Sequence, residues 1–202
     1  DSPSGNYPAD ANRWLIFKSN LSNLARPALR FRHRYDFDES SNDYGEVSYS
    51  TNGINWINMG RFTGNKLGTY SQAEFDLSPM QNQPNVYVRL RMISGSTVQK
   101  DGWRLDDVEV YNNTKTTPFP FFDDFEDDSL SYSKWLPGGW TTNIDGSTGN
   151  KSWICKTSGQ ENEYFYMTIA GPLDLSNSAN PQLSLWIRRN HTSGTVPKSS
   201  IE

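Results

Sequence analysis

The residues best suited to chemistry in this chain are carboxylates. Asp106 and Asp107 stand side by side where an alternating run changes phase: Trp103 and Leu105 keep one alternation, Val108 and Val110 the opposite one. A one-residue slip of that kind is what a β-bulge produces, and bulges re-aim side chains at sheet rims and functional sites. Two adjacent carboxylates repel each other unless water or a cation separates them. A second acidic group, Asp123-Asp124-Phe125-Glu126-Asp127-Asp128, reads as a solvated edge or as cation ligands. A glycosidase-like carboxylate pair stays open, because separation in space cannot be read from spacing in sequence. His33 and His191 are the two histidines, and Cys155 is the single cysteine. His33 falls on the apolar face of its run, the place of a hydrogen-bonded core histidine rather than a general base. Cys155 has no histidine near it in sequence and reads as a small buried residue. No HExxH, phosphate-binding Gly-rich loop or Gly-x-Ser-x-Gly elbow is present, so no enzyme is expected in this chain.

The elements that must position these groups are strands. In Ala28 to Phe37, Leu29, Phe31, His33, Tyr35 and Phe37 share one face, while Arg30, Arg32, Arg34 and Asp36 take the other. In Val86 to Met92, the apolar Val86, Val88, Leu90 and Met92 oppose Tyr87, Arg89 and Arg91. Shorter runs at Trp14–Lys18, Glu46–Ser50, Trp56–Met59, Ala73–Leu77 and Trp103–Tyr111 are also predicted as strands. Turn signals separate them at Ser41–Gly45, Thr51-Asn52-Gly53 and Asn65–Gly68. No stretch carries a sustained helical stripe. Short strands with one polar and one apolar face describe an all-β, antiparallel, jelly-roll-like sandwich.

Composition narrows the partners. Aromatic residues make up 13% of the chain, which favours strands. The formal net charge is −4, so the chain lacks the basic field that nucleic acid requires. The arginines between Arg26 and Arg34 alternate with apolar residues and read as a solvated strand face. A lone cysteine excludes an internal disulfide but not secretion. No apolar run approaches the length of a membrane span. The Asn-x-Ser/Thr triplets at Asn20, Asn112, Asn150 and Asn190 occur about as often as chance gives in so polar a chain.

The sequence also repeats itself. Leu21-Ser22-Asn23-Leu24-Ala25-Arg26-Pro27-Ala28-Leu29 recurs as Leu175-Ser176-Asn177-Ser178-Ala179-Asn180-Pro181-Gln182-Leu183, an offset of 154 residues without a gap. A period this long is that of a domain, not of a solenoid unit. The expected organisation is a sandwich over residues 1–113 that lacks its first strands, a linker over 114–118, and the N-terminal part of a second sandwich over 119–202. Unfinished sheets leave open edges. The missing strands are expected from a longer parent chain; alternatively the run Phe119–Glu126 pairs back onto the first copy, or copies exchange strands.

Taken in order, these residues resemble the MAM-type jelly-roll family, in the bacterial form found beside secreted metalloproteases of the immune-inhibitor-A kind and in cell-surface proteins. The resemblance rests on Asp1–Tyr7, the Leu29–Asp36 run, Asp43-Tyr44-Gly45-Glu46-Val47-Ser48-Tyr49-Ser50-Thr51-Asn52-Gly53 with Trp56, and Gly102–Val108. The second copy, from Phe122-Asp123-Asp124-Phe125-Glu126 with Trp135, Gly139-Trp140 and Ser152-Trp153, is similar to the start of the same domain, including its cleaved-adhesin or choice-of-anchor form. The resemblance implies a non-catalytic domain and a structural calcium ion. Its ligands in the first copy would be Asp1 and Asp107, with Asp106 as the alternative. In the second they would be Glu126 and Asp124, but Cys155 stands where Asp1 stands in the first, and a thiol is a poor calcium ligand.

The function expected from these readings is that of a non-catalytic, extracellular adhesive or structural module of a larger secreted or surface-anchored bacterial protein, stabilised by calcium. Its partners would be neighbouring domains of the parent protein or other copies, a glycan or a cell-surface protein, and neither nucleic acid nor the membrane interior. Two other readings are a carbohydrate-binding module and the accessory C-terminal domain of a secreted metalloprotease. For ligand contact, Tyr87, Tyr111 and Trp186 are the candidates, since sandwich packing does not call for aromatics on the polar faces of their runs.

Overall fold

In the computed structural model, residues 5–117, 119–147, 149–155 and 166–185 are described. Seven strands come in the order the alternation predicts: β1 Asn12–Ser19, β2 Pro27–Asp36, β3 Tyr44–Ser50, β4 Ile57–Phe62, β5 Asn65–Asp76, β6 Val86–Ile93 and β7 Gly102–Asn112. They form two sheets, one ordered β1-β6-β3-β4 and the other β5-β2-β7, with every pairing antiparallel.

The sheets meet through the apolar face of β2. Leu29, Phe31, His33, Tyr35 and Phe37 are all buried, while Arg30 and Arg34 are half-buried and Arg32 is exposed. Phe31 stacks on Phe75 with ring centres 5.9 Å apart and meets Trp103 edge-on at 6.1 Å. Phe62 meets both His33 and Phe31 edge-on, at 4.4 and 6.4 Å. Edge-to-face and offset stacking are the arrangements that ring quadrupoles favour. Across the gap, Gly45 of β3 lies under the Trp103 indole, and a Cβ there would come within 2.7 Å of the ring. Only glycine leaves that indole its place.

His33 is a core residue, as its position in the alternation predicts. Its Nδ1 accepts a hydrogen bond from Trp103 Nε1 at 3.2 Å, which requires the neutral ring. Burial, with Lys66 adding repulsion, pulls its pKa down to about 3. The segment before β1 is tied down by Tyr7, whose hydroxyl donates to the buried Asp43 carboxylate at 2.5 Å. Asp43 also accepts from Gly95 N at 2.6 Å.

Two expectations are refined. The phase change at Asp106-Asp107 is a bulge: the β2–β7 register shifts between Arg30 and Arg32, and Asp107 has φ 49°. The turn expected over Asn65–Gly68 is not a hairpin end. β5 already runs from Asn65, and the register with β2 breaks between Lys66 opposite Tyr35 and Ser71 opposite His33, with Gly68 at φ 98° inside the break. The reversal comes earlier, at Gly64 with φ 73°.

Beyond β7 come α1 Asp128–Lys134, β8 Trp135–Leu136, β9 Thr141–Asn143, β10 Ser152–Ile154 and β11 Thr168–Ile169. β8 pairs with β11, and β9 with β10. The short helix has no counterpart among the elements that alternation predicts. It starts where Asp127 caps it, its carboxylate accepting from Leu130 N. Seven residues are too few to show an apolar stripe.

His33 gives the fold a pH signature. An unfolded histidine titrates near 6.5 and the buried one near 3, so the unfolded chain binds the extra proton between these values. Stability is fully present above pH 6.5 and is lost as pH falls toward 3, by up to about 1 kcal/mol per pH unit within that window. Urea denaturation at pH 7, 6, 5 and 4 should show this loss, and His33→Gln, which keeps an acceptor but cannot titrate, should flatten the part due to His33.

Candidate functional site

Two packed sheets leave two open sides, and the described residues treat them differently. On one side the edges of β4 and β5 are covered by the segment just after α1. Gly138 N donates to Glu74 O at 2.8 Å, satisfying a backbone acceptor of β5. Gly139 lies so close to Gly60 and Arg61 of β4 that a Cβ on it would come within 3.0 Å of both backbones. Gly138 has φ 58°, a conformation that suits glycine.

The Glu74 carboxylate, fully buried, anchors this closure. It accepts from Lys115 Nζ at 2.5 Å, from the Tyr111 hydroxyl at 3.0 Å and from Gln72 Nε2 at 3.1 Å. Lys115 also donates to Tyr132 O at 3.3 Å, and its own carbonyl accepts from Arg26 at 2.8 Å. Asn113 Nδ2 donates to Ala170 O at 2.7 Å, and Tyr111 packs against Ala28, Leu136 and Ala170. Lys115 and Thr117, within the expected linker 114–118, thus take part in a hydrogen-bonded seam. Beside it a polar cavity of about 140 Å³ opens between Tyr35, Arg61 and Lys66 of the sandwich and Thr141 and Asn143 of β9.

The other side, between β1 and β7, is a groove of about 320 Å³ lined by Leu15, Phe17, Val108 and Val110, with Lys18 and Glu109 at its rim.

The expected site residues fall in separate places. Asp106 and Asp107 are exposed at the bulge. Asp106 Oδ1 accepts from Asp107 N at 2.9 Å, and Asp107 faces Arg32 Nε at 3.5 Å. Asp124 accepts from Glu126 N at 3.2 Å, and Glu126 accepts from Lys151 N at 2.8 Å. No group of three or more His, Cys, Asp or Glu able to hold a metal occurs among the described residues. These four carboxylates alone do not fit a calcium ion, which takes about six to eight oxygen ligands. Asp1 and Trp186 lie outside the described residues.

The acidic run has a structural role that its composition does not reveal. Asp123 accepts from Ser131 Oγ at 2.8 Å, Trp135 Nε1 at 2.7 Å and Phe125 N at 3.0 Å. It holds Phe121 and Phe125 against Trp135, at 5.0 and 6.0 Å between rings. Phe119–Glu126, for which pairing back onto the first copy was the alternative, forms no strand; the backbone of Gly138 reaches the sandwich instead. Cys155, the single cysteine, is half-buried.

Of the ligand candidates, Tyr111 spends its ring and hydroxyl on the seam, with Arg30 stacked over it at 4.5 Å. Tyr87 lies on the outer face of the four-stranded sheet, with Lys18 above its ring at 5.8 Å. That face holds a cluster that alternation alone does not single out. Glu46 of β3 meets Arg89 at 3.1 Å, Arg61 at 3.7 Å and Arg91 at 4.0 Å. Arg89 stacks on Trp56 at 4.3 Å and Arg61 on Tyr44 at 3.7 Å. Burial pulls the Arg89 guanidinium below its ordinary value, and Glu46 opposes that shift. A signal for it is present in the chain: Arg89 and Arg91 share the parity of Tyr87.

With this geometry in view, comparison with known proteins gives a partial likeness. The chain is 30% identical over 107 residues to Bacillopeptidase F of Bacillus subtilis strain 168, which covers 52% of this chain and 7% of that protein. The chain therefore spans less than a tenth of that relative. No family model matches. No helix among the described residues is long and apolar enough to cross a membrane.

Lys115 is the residue on which the seam can be tested. Lys115→Met leaves the Glu74 carboxylate buried without its cation, at a cost of about 3 kcal/mol. The variant should lower the urea midpoint and speed proteolytic cleavage within residues 114–121.

Proposed function

We propose that this chain is a non-catalytic, extracellular accessory module of a larger secreted protease, working through contacts between domains. The seam at Glu74 carries the reading. A module whose sheet edge is closed by the segment of chain after its last strand is built to be joined to a neighbouring domain. The likeness to part of Bacillopeptidase F supports a secreted protease as the parent. Adhesion is the second reading, favoured by the 154-residue internal repeat, which is the pattern of tandem surface domains.

Peptide mapping of the native secreted polypeptide separates them. Peptides of this chain found in one polypeptide with a protease catalytic unit support the accessory reading. Peptides found only with further copies of the repeat and an anchoring segment overturn it in favour of adhesion.

Calcium enters the proposal only through Asp1, which would join Asp107 at the bulge. Melting the protein in calcium chloride and in chelator tests this. A higher Tm with calcium that Asp107→Asn abolishes supports such a site, and an unchanged Tm removes calcium from the reading.

A further inference from the structure

The outer face of the β1-β6-β3-β4 sheet carries more cations than carboxylates beside the exposed plane of Trp14. The register places Trp14 beside Arg91, Ile16 beside Arg89 and Lys18 beside Tyr87, with Glu46 next to Arg91 and Arg61 beyond it. Arg89 and Arg91 share this face with one carboxylate, Glu46, which the buried Arg61 also meets, and Lys18 stands four residues from Trp14 along β1, on a chain whose formal net charge is −4. Trp14 is 58% exposed and Ile16 41%, with no covering element among the described residues. The alternation of β1 explains this: Phe17 packs on the core and Leu15 lines the groove, so Trp14, Ile16 and Lys18 point outward.

We infer that this face binds an acidic glycan, a polymer of carboxylated sugars lying along β1 and β6. Such a sugar presents an apolar ring face, hydroxyls and a carboxylate in one unit. Trp14 offers a plane for the first, and Arg91, its side chain 26% exposed, a planar donor fork for the last. Asn12, which already accepts from Arg91 Nε at 2.9 Å, holds that guanidinium beside the indole. The second pair, Lys18 with Tyr87, lies four residues further along β1, about 13 Å away by the rise of a strand. Two aromatic–cation pairs at that distance are spanned by an extended polymer, not by one sugar. Between them Arg89 is held by Glu46, Ser48 and Trp56, which makes the centre of the platform rigid rather than a hot spot. The platform lies within this chain and would bind whatever the identity of the parent protein.

Affinity electrophoresis of the whole chain in gels containing polygalacturonate tests it, with dextran, poly-glutamate and single-stranded oligo-dT as comparisons. Retardation by polygalacturonate, weakened about tenfold by either Trp14→Ala or Arg91→Gln, is the expected result. Both side chains are at the surface, and near-ultraviolet circular dichroism checks that the fold persists. Leu67→Ala, 58% exposed on β5 of the other sheet, should leave binding unchanged. No retardation overturns the inference, as does equal retardation by dextran, which would mean that charge is not read. Stronger binding of poly-glutamate or oligo-dT overturns it in favour of an acidic protein or a nucleic acid.

Discussion

A sandwich of two open sheets has two sides where unpaired backbone groups and interior side chains meet water, and how those sides are closed governs the rest of this molecule. Unpaired edges are costly and invite association. On the β4/β5 side, Gly138 supplies the donor that Glu74 O needs, and Gly139 fits because nothing larger than hydrogen can lie against Gly60 and Arg61. The closure is drawn in by a buried carboxylate whose partners, Tyr111 and Lys115, come from the end of β7 and the residues just after it.

That arrangement joins what the sequence divides. Residues 114–117 read as a linker because they are polar, yet their hydrogen bonds run to the sandwich on one side and to the segment beyond them on the other. A linker is recognised by having few such bonds. Here polarity serves the opposite end, because the only way to bury the Glu74 carboxylate is to surround it with donors.

The same rule separates the two arginine-rich strands. On β2, Arg30 and Arg32 pair with the nearby Glu109 and Asp107 on β7, a local exchange of charge across two exposed neighbours. On β6, Arg89 and Arg91 converge with Arg61 on Glu46, leaving cationic excess on one sheet face. Alternation makes both strands look alike in sequence. Their different roles come from which strand lies alongside.

The all-β class, the place of every strand in the sandwich, the parity of β2, β6 and β7, the burial of His33 and the bulge at Asp106-Asp107 were all legible in the order of residues. They arise from period-two alternation, a local property that each strand writes into its own residues. The ends of β5 and the role of Asp123 were not legible, because a register break and a carboxylate held by an indole depend on partners beyond the run itself, and the helix at Asp128 was not, because one short turn after a local cap shows no stripe. Which carboxylate meets which cation was settled by folding alone. Glu74 went to Lys115 and Glu46 to three arginines, while at the exposed bulge Asp107 met Arg32. Charge pairing across sheets is set by strand order, and strand order is not written in any single strand.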